Sequence, residues 1–168
     1  IKDIHDSGGL DKSISRSVLG HSGRVPHGCE IHTKILSRLF WPDMGDESFV
    51  IPSGVVEMQQ LYEATFEQLK SSRKLKWLNH IGQATVELEL EDRTILEHVR
   101  TYEATVISAF SEHAVSGRSP SWTFDDLYMH LRMDEDLLTA ALDFWVKKRV
   151  LRKQANEEYV VLLSLIHI

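Results

Sequence analysis

The chain has 168 residues, 42% of them hydrophobic and 26% charged, which is ordinary for a globular protein of one large or two small domains. Its formal net charge of −6 excludes the global basic field that attracts nucleic acid. Its single cysteine, Cys29, excludes an internal disulfide framework, and no apolar run approaches the ~18–20 residues needed to cross a bilayer.

Residues 1–19 begin with a pattern of polar and apolar residues that is typical of a helix, and Gly8-Gly9 interrupts it. A glycine inside a helix costs about 1 kcal/mol, so a helix end or break is predicted at this pair. Three glycines and a proline between Gly20 and Gly28 predict a flexible linker over residues 20–29.

A strand and a long helix are predicted next. Ile31, Thr33 and Ile35 alternate with polar residues, which is typical of a strand with one buried face. From Pro52 to Leu69, apolar residues recur at a spacing of three to four, which predicts an amphipathic helix with one buried stripe.

The most regular pattern in the chain is a strict alternation of apolar and acidic residues from Val86 to Glu91. A short turn and a second strand, Thr94 to Val99, follow it. A β-hairpin is therefore predicted here. An isolated hairpin is marginal in water, so its apolar face must be covered, and the stripe of the preceding helix is long enough to cover it. The inward positions are Val86, Leu88 and Leu90, and the outward positions are Glu87, Glu89 and Glu91.

Three short helices and a second hairpin, the order of a winged helix, are predicted for the rest of the chain. The second of these helices begins at Thr123, with Asp126 in the position of a capping-box acid. The third begins at Asp134 and ends near Lys147. The first helix is predicted around residues 104–110, and the two strands near residues 150–152 and 159–161.

The charges of the third helix bear on nucleic-acid binding. A winged helix often reads DNA through this helix, with cations facing the phosphates. Here the helix begins with Asp134, Glu135 and Asp136, and its cations cluster only at the far end. A winged-helix DNA-binding regulator therefore stays the alternative function and not the preferred one.

No catalytic residue, metal site or cofactor is predicted. His27, Cys29 and His32 could supply three zinc ligands, but their spacing matches no familiar pattern and no fourth ligand is evident, so a polar loop is preferred. Glu87 and Glu89 have a separation that paired catalytic carboxylates use, yet alternating acids are also typical of a solvated sheet face. No nucleophile elbow or phosphate-binding glycine loop is present in the sequence.

Five segments, in order along the chain, carry a family resemblance: Lys2-Asp3-Ile4 with Asp6-Ser7, ILSRLFWP (35–42), LKSSRKLKW (69–77), VELELEDRT (86–94) and FWVKKRVL (144–151). Together they resemble the cullin homology region, and the similarity covers nearly all of residues 1–162. Among cullin relatives, the Phe-Trp-Pro and Leu-Glu-Asp-Arg-Thr segments are most similar to the cullin-like scaffold subunits of the anaphase-promoting complex.

The resemblance implies an α+β fold, with a small α/β subdomain followed by a winged-helix domain. It divides the chain into the end of a helical bundle, a linker, the cullin-type subdomain and the winged helix. Residues after the winged helix match a translated sequencing-adapter end and are interpreted as a non-native tail, with a terminal strand as the alternative. These divisions are 1–19, 20–29, 30–103, 104–162 and 163–168.

The resemblance also implies a non-enzymatic function. The expected protein is a scaffold subunit of a multi-subunit ubiquitin ligase, the anaphase-promoting complex, in the nucleus and cytoplasm. It would dock a small RING-domain subunit through β-strand addition and, indirectly, a ubiquitin-conjugating enzyme, so that ubiquitin reaches cell-cycle substrates. Other complex subunits are expected partners, and nucleic acid and membranes are not. The implied partner-binding residues are Ile31, Thr33, Ile35, Val86, Leu88 and Leu90.

Overall fold

The computed structural model describes residues 2–22, 30–39, 41–116 and 121–164. Within them the chain is α+β, as predicted, with five helices and two small antiparallel sheets. The helices are α1 (Lys2–Ser22), α2 (Ser53–Leu69), α3 (Thr101–Val115), α4 (Phe124–Leu131) and α5 (Glu135–Lys147). The strands are β1 (Gln83–Glu89), β2 (Thr94–Arg100), β3 (Ser121–Thr123), β4 (Leu151–Lys153) and β5 (Glu158–Val161).

The chain divides into two compact units. The first comprises residues 1–45 and 52–77, and the second comprises residues 46–51 and 78–168. The hairpin β1–β2 is thus grouped with the winged helix. The subdomain boundaries implied by the family resemblance stay a prediction. None of the described helices is long and apolar enough to span a membrane.

The core of the first unit lies between α1 and α2. Ile14 and Val18 of α1 meet Met58, Tyr62 and Phe66 of α2, whose spacing of four places them on one face. The stripe predicted for α2 is therefore narrower than expected, since two of its leucines are exposed. Four further apolar side chains pack against this core, namely Ile31, Ile35, Leu75 and Trp77.

The break predicted at Gly8-Gly9 is wrong, because α1 runs through both glycines without interruption. Ser7 and Asp11, on either side of the pair, are buried in contacts with residues 31–36, and Ile14 lies in the core. These tertiary contacts outweigh the low helix propensity of glycine. The helix continues to Ser22, into the predicted linker, and residues 23–29 lie outside the described residues.

Replacing Gly8 or Gly9 by alanine is expected to raise the free energy of unfolding of the first unit by up to about 1 kcal/mol each. Both glycines are exposed, and no atom other than those of the adjacent residues and the helix's own backbone would lie within 4 Å of an added Cβ. Urea unfolding followed by circular dichroism measures the change. Gly82→Ala is the matched control, because its Cβ would overlap Thr101 Oγ1, and a loss of about 1–3 kcal/mol is expected there. A loss at Gly8 as large as at Gly82 would contradict the prediction.

The second unit is built around the hairpin and the winged helix. β1 and β2 pair over their full lengths, with Val86 opposite Glu97 and Leu88 opposite Ile95, and inward and outward positions alternate as predicted. Ala84, Val86, Leu88 and Ile95 pack against a core formed mainly by α3, α4 and α5. The hairpin's own unit thus supplies a cover for its apolar face.

The winged helix has the predicted order of elements. β3, β5 and β4 form its three-stranded sheet, in that spatial order. Thr123 Oγ1 accepts a hydrogen bond from the Asp126 amide at 3.1 Å, which confirms the predicted N-cap of α4. Asp134 caps α5 in the same way, through the amides of Asp136 and Leu137. α3 is longer than predicted and begins directly after β2.

Arg93, in the turn of the β1–β2 hairpin, connects that turn to the winged helix through hydrogen bonds. Its guanidinium donates to the carbonyl of Arg149 at 2.7 Å and to that of Leu162 at 3.3 Å, and it forms an ion pair with Asp92. The Glu91 amide donates to the Leu163 carbonyl at 3.0 Å. The turn is thus bound to the segments on both sides of the β4–β5 hairpin. The rest of the predicted tail, residues 165–168, lies outside the described residues.

Candidate functional site

The six predicted partner-binding residues fall into the two units in equal numbers. Ile31, Thr33 and Ile35 lie in the first unit, all of them half-buried. The other three, Val86, Leu88 and Leu90, lie on or just after β1 in the second unit and are also half-buried. Each group lies together within its own unit.

Residues 30–36 form no regular strand in the described structure, so the strand predicted there is wrong as a paired element. Its side chains nevertheless alternate as those of a strand do, with Ile31, Thr33 and Ile35 turned inward and His32 and Lys34 exposed. The missing feature is a neighbouring strand. Its place on one edge of the segment is taken by side chains of α1.

Two side chains of α1 accept hydrogen bonds from alternate amides of this segment. The Thr33 amide donates to Asp11 Oδ1 at 2.8 Å, and the Ile35 amide donates to Ser7 Oγ at 2.6 Å. Amides two residues apart point to the same edge of an extended chain, so α1 satisfies one edge of the segment. Both Asp11 and Ser7 are buried, with residue exposures of 8% and 4%.

Asp11 is the centre of a buried polar cluster. Besides the Thr33 amide, its Oδ1 atom accepts from the Tyr62 hydroxyl at 2.9 Å and from Thr33 Oγ1 at 3.2 Å. Its Oδ2 atom lies 3.2 Å from Nδ1 of His32. The Thr33 and Tyr62 hydroxyls are also within hydrogen-bond distance of each other. The carboxylate thus joins α1, α2 and the extended segment.

The cluster shifts the titration of both acidic groups in it. Burial acts to raise the pKa of Asp11, but the hydrogen bonds from the Thr33 amide, Tyr62, His32 and the Thr33 hydroxyl outweigh burial and lower it below its ordinary value. Burial raises the pKa of the Tyr62 phenol, and the nearby Asp11 carboxylate raises it further. Asp11 is therefore the charged acceptor at neutral pH, and Tyr62 is a donor to it.

The opposite edge of the extended segment carries the backbone groups of His32, Lys34 and Leu36. Within the described part of the chain, no hydrogen bond reaches the backbone amides of these three residues. His32 and Lys34 are exposed, so water can pair with their amides, and Leu36 is half-buried. Within the described residues, this edge therefore has backbone donors without a protein partner.

The hairpin offers a different surface. Its inner side chains pack against the core of the second unit, so Val86 and Leu88 contribute to folding. Its outer face carries Glu87 and Glu89 on β1, and Leu96, which is 63% exposed, on β2. The two acids project into solvent at the edge of the sheet, as expected for a solvated face.

The exposed side of α5 is acidic over most of its length. Glu135, Asp136 and Asp143 are exposed there, and the exposed cation within the helix is Lys147, at its last position. A DNA-reading helix needs cations along this side to approach phosphates. The charge distribution therefore disfavours the DNA-binding alternative.

In the described residues, no group of three or more histidine, cysteine, aspartate or glutamate side chains has the geometry to hold a metal ion. His27 and Cys29, two of the three candidate zinc ligands, lie outside those residues. The third, His32, is oriented by Asp11 and Glu30, at 3.2 and 3.3 Å.

Sequence reasoning missed Ser7, Asp11 and Tyr62. A signal was nevertheless present for the first two. Ser7 and Asp11 share a helical face with Ile14 and Val18, at intervals of four, three and four residues. Polar residues on the buried stripe of a helix need partners, and here the partners are the backbone amides of the extended segment.

The chain is similar in sequence to known proteins over most of its length. The family model of the cullin alpha+beta domain matches residues 35–161. The chain is 28% identical to anaphase-promoting complex subunit 2 of Homo sapiens over 162 residues, which cover 96% of this chain and 19% of that protein. It is 34% identical to the subunit 2 of Arabidopsis thaliana over 122 residues, or 73% of this chain and 13% of that protein.

A cullin proper is also similar. The chain is 23% identical to cullin-1 of Schizosaccharomyces pombe over 156 residues, which cover 88% of this chain and 20% of that protein. The chain therefore spans about a fifth or less of the length of these curated relatives.

Proposed function

The chain belongs to the cullin family, and we propose that it is part of a non-catalytic scaffold subunit of the anaphase-promoting complex. In this role it docks a small RING-domain subunit and, through it, a ubiquitin-conjugating enzyme that acts on cell-cycle substrates. The observation that carries the proposal is the cullin alpha+beta domain match over residues 35–161, joined by similarity to subunit 2 proteins over most of the chain. Nucleus and cytoplasm are the compartments proposed for it.

The geometry of the polar residues supports a scaffold. Among the described residues, Asp11 and Tyr62 have the clearest catalytic potential. Their hydrogen bonds join α1, α2 and the extended segment. Glu87 and Glu89 project into solvent from a sheet face. Their surroundings are those of structural and surface groups, respectively.

The proposed partner contact is β-strand addition, in which the backbone supplies affinity and alternate side-chain positions supply specificity. Two features of the chain support it: the extended residues 31–35 and the strand that contains Val86 and Leu88. Because the inner side chains of both are half-buried within their own units, we propose that the partner meets mainly their backbone.

Co-expression with the small RING subunit of an anaphase-promoting complex tests the proposal. We expect the two chains to co-purify at equal stoichiometry through affinity capture and size exclusion. A RING subunit without its N-terminal extension is the matched control and is expected to be lost. A folded chain that retains neither form of the subunit would refute the docking function.

A gel-shift titration tests the alternative function, a winged-helix DNA-binding regulator. A DNA-binding winged helix shifts duplex DNA at low salt and loses affinity steeply as salt rises. We expect no shift at 50 mM salt, because the exposed side of α5 is acidic. A salt-dependent shift would favour the regulator.

A further inference from the structure

We propose that a cavity on the outer face of the β1–β2 hairpin, at the end away from the turn, binds a phosphate monoester. The cavity has a volume of about 360 Å³. None of the six predicted partner-binding residues is among its described lining residues, so this inference is independent of the proposed docking function. The polar residues that line it are Gln83, Thr85, His98, Arg100 and Glu103.

Four hydrogen-bonding side chains form two cross-strand pairs in this cavity. Gln83 lies opposite Arg100, and the next outward pair is Thr85 opposite His98. Opposed side chains of an antiparallel pair have Cβ atoms about 5 Å apart, and successive outward positions of one strand are about 7 Å apart. Long donors at such spacings can reach the oxygens of a single tetrahedral anion from several sides.

The contact between Thr85 and His98 leaves a donor for a ligand. Thr85 Oγ1 lies 2.9 Å from His98 Nδ1. When the hydroxyl donates to Nδ1, the neutral imidazole carries its hydrogen on Nε2, and the imidazolium ion also has a hydrogen there. Thr85 thus orients the imidazole so that Nε2 is the atom that donates to a ligand.

Arg100 supplies the positive charge of the cavity. Its side chain is exposed, and no carboxylate in the described part of the chain forms an ion pair with it. Glu103, the acid in the described lining, accepts a hydrogen bond from the Arg100 backbone amide at 2.7 Å, so its carboxylate is engaged by the start of α3. A guanidinium binds two phosphate oxygens at once, through charge-assisted hydrogen bonds that are stronger than neutral ones.

The charges of the hairpin's outer face are divided between its two ends. Its acids, Glu87 and Glu89, lie in the two rows nearest the turn, and the two rows at the cavity contain no acid. Glu87 is four residues from the row of Arg100, which is roughly 13 Å along a strand. Exposed charges at that separation are largely screened at physiological salt. An anion is therefore favoured at the cavity and disfavoured at the turn.

The size of the cavity indicates what carries the phosphate. Its volume is at the lower end of the range of about 300–1,000 Å³ that small-molecule sites occupy. This space accommodates a phosphate together with a short carrier such as the serine side chain. The same phosphate monoester chemistry occurs in free small molecules and in phosphorylated protein segments.

NMR titration of the isotope-labelled full chain tests the site and separates the two sources. The ligands are free phosphoserine, the peptide Ala-Ala-phosphoserine-Ala-Ala and its unphosphorylated form. We expect the amide signals of Thr85, His98 and Arg100 to shift with both phosphorylated ligands, and no signal to shift with the unphosphorylated peptide. The absence of these shifts at about 10 mM phosphoserine and phosphopeptide would overturn the inference.

The two affinities then identify the source of the phosphate. Binding of the phosphopeptide at least tenfold tighter than free phosphoserine would support a phosphorylated protein segment as the ligand. Equal affinities would support a free phosphate monoester. Shifts of equal size with the unphosphorylated peptide would contradict phosphate recognition.

Arg100→Gln distinguishes the cavity from general attraction between an anion and surface cations. We expect at least a tenfold loss of affinity for phosphoserine, because the variant lacks the charge and the paired donors of the guanidinium. Arg152→Gln is the matched control, since it removes an exposed arginine of β4, and its affinity is expected to stay within twofold of wild type. Circular dichroism shows that both variants are folded. Equal affinities of the two variants would mean non-specific attraction and would refute the site.

Thr85→Val tests the orientation of His98. Valine keeps the shape of threonine and its preference for a strand, but it lacks the hydroxyl that contacts Nδ1. We expect a several-fold loss of affinity for phosphoserine, which Thr85→Ser restores. A Thr85→Val chain that binds phosphoserine as tightly as wild type would contradict the role given to this hydrogen bond.

Discussion

Trp145→Ala is expected to lower the free energy of unfolding of the second unit by about 3–5 kcal/mol. Trp145 is fully buried, and its Nε1 atom donates to the Glu103 carbonyl at 2.8 Å. Alanine removes the indole from the core and with it the Nε1 donor to that carbonyl. Since small domains are stable by only about 5–15 kcal/mol, the loss is a large share of the total.

Thermal unfolding with near-ultraviolet circular dichroism measures this effect. Trp145→Phe keeps most of the apolar volume and loses the hydrogen bond, so a smaller loss of about 1–2 kcal/mol is expected. Met129→Ala changes a side chain that is 72% exposed and is expected to stay within about 0.5 kcal/mol of wild type. A Trp145→Ala loss no larger than that of Met129→Ala would contradict the packing described above.

Asp11→Ala is expected to destabilise the first unit by about 3 kcal/mol at pH 7, because it removes a charged acceptor and leaves the buried Tyr62 hydroxyl and Thr33 amide without it. The pH dependence follows from the lowered pKa of Asp11. A carboxyl group whose pKa is lower in the folded state stabilises the fold fully above its unfolded pKa, which is about 4 for aspartate. That contribution is lost as the pH falls through the folded value.

Asp11→Asn isolates this pH effect. It keeps the shape of the side chain and is expected to flatten the acid side of the stability curve below about pH 4, where wild type loses stability. Urea unfolding at a series of pH values between about 2 and 7 gives the comparison. Glu67→Gln, at an exposed position of α2, is expected to leave the curve nearly unchanged. Parallel curves for wild type and Asp11→Asn would mean that the carboxylate does not stabilise the cluster.

Local sequence signals predicted the elements whose partners are near in the chain. Strict alternation identified the β1–β2 hairpin, and the acids after Thr123 and at Asp134 identified the starts of α4 and α5. The cullin resemblance, including the similarity to anaphase-promoting complex subunit 2, is confirmed by the family model and the relatives. In each of these elements the pattern and the stabilising contacts belong to the same short segment.

The features that sequence reasoning missed depend on contacts between distant residues. Gly8 and Gly9 have low helix propensity, yet the neighbouring Ser7 and Asp11 bind amides more than twenty residues away. The alternation at Ile31, Thr33 and Ile35 indicated the direction of the side chains correctly, but the pattern contains no information on what satisfies the backbone. Nor does the sequence show that α3, α4 and α5 pack on the hairpin, because an apolar face does not identify the helices that cover it.

The hydrogen bonds from Arg93 to the Arg149 and Leu162 carbonyls have a consequence for the order in which the second unit folds. The carbonyls that Arg93 binds lie 56 and 69 residues further along the chain. An isolated hairpin is marginally stable in water. The contacts that stabilise the β1–β2 turn therefore form only after residues up to Leu162 have been synthesised and have left the ribosome. The first unit draws its contacts from residues up to Trp77 and is under no such delay. During synthesis, the α1–α2 unit is thus expected to be in place before the hairpin closes.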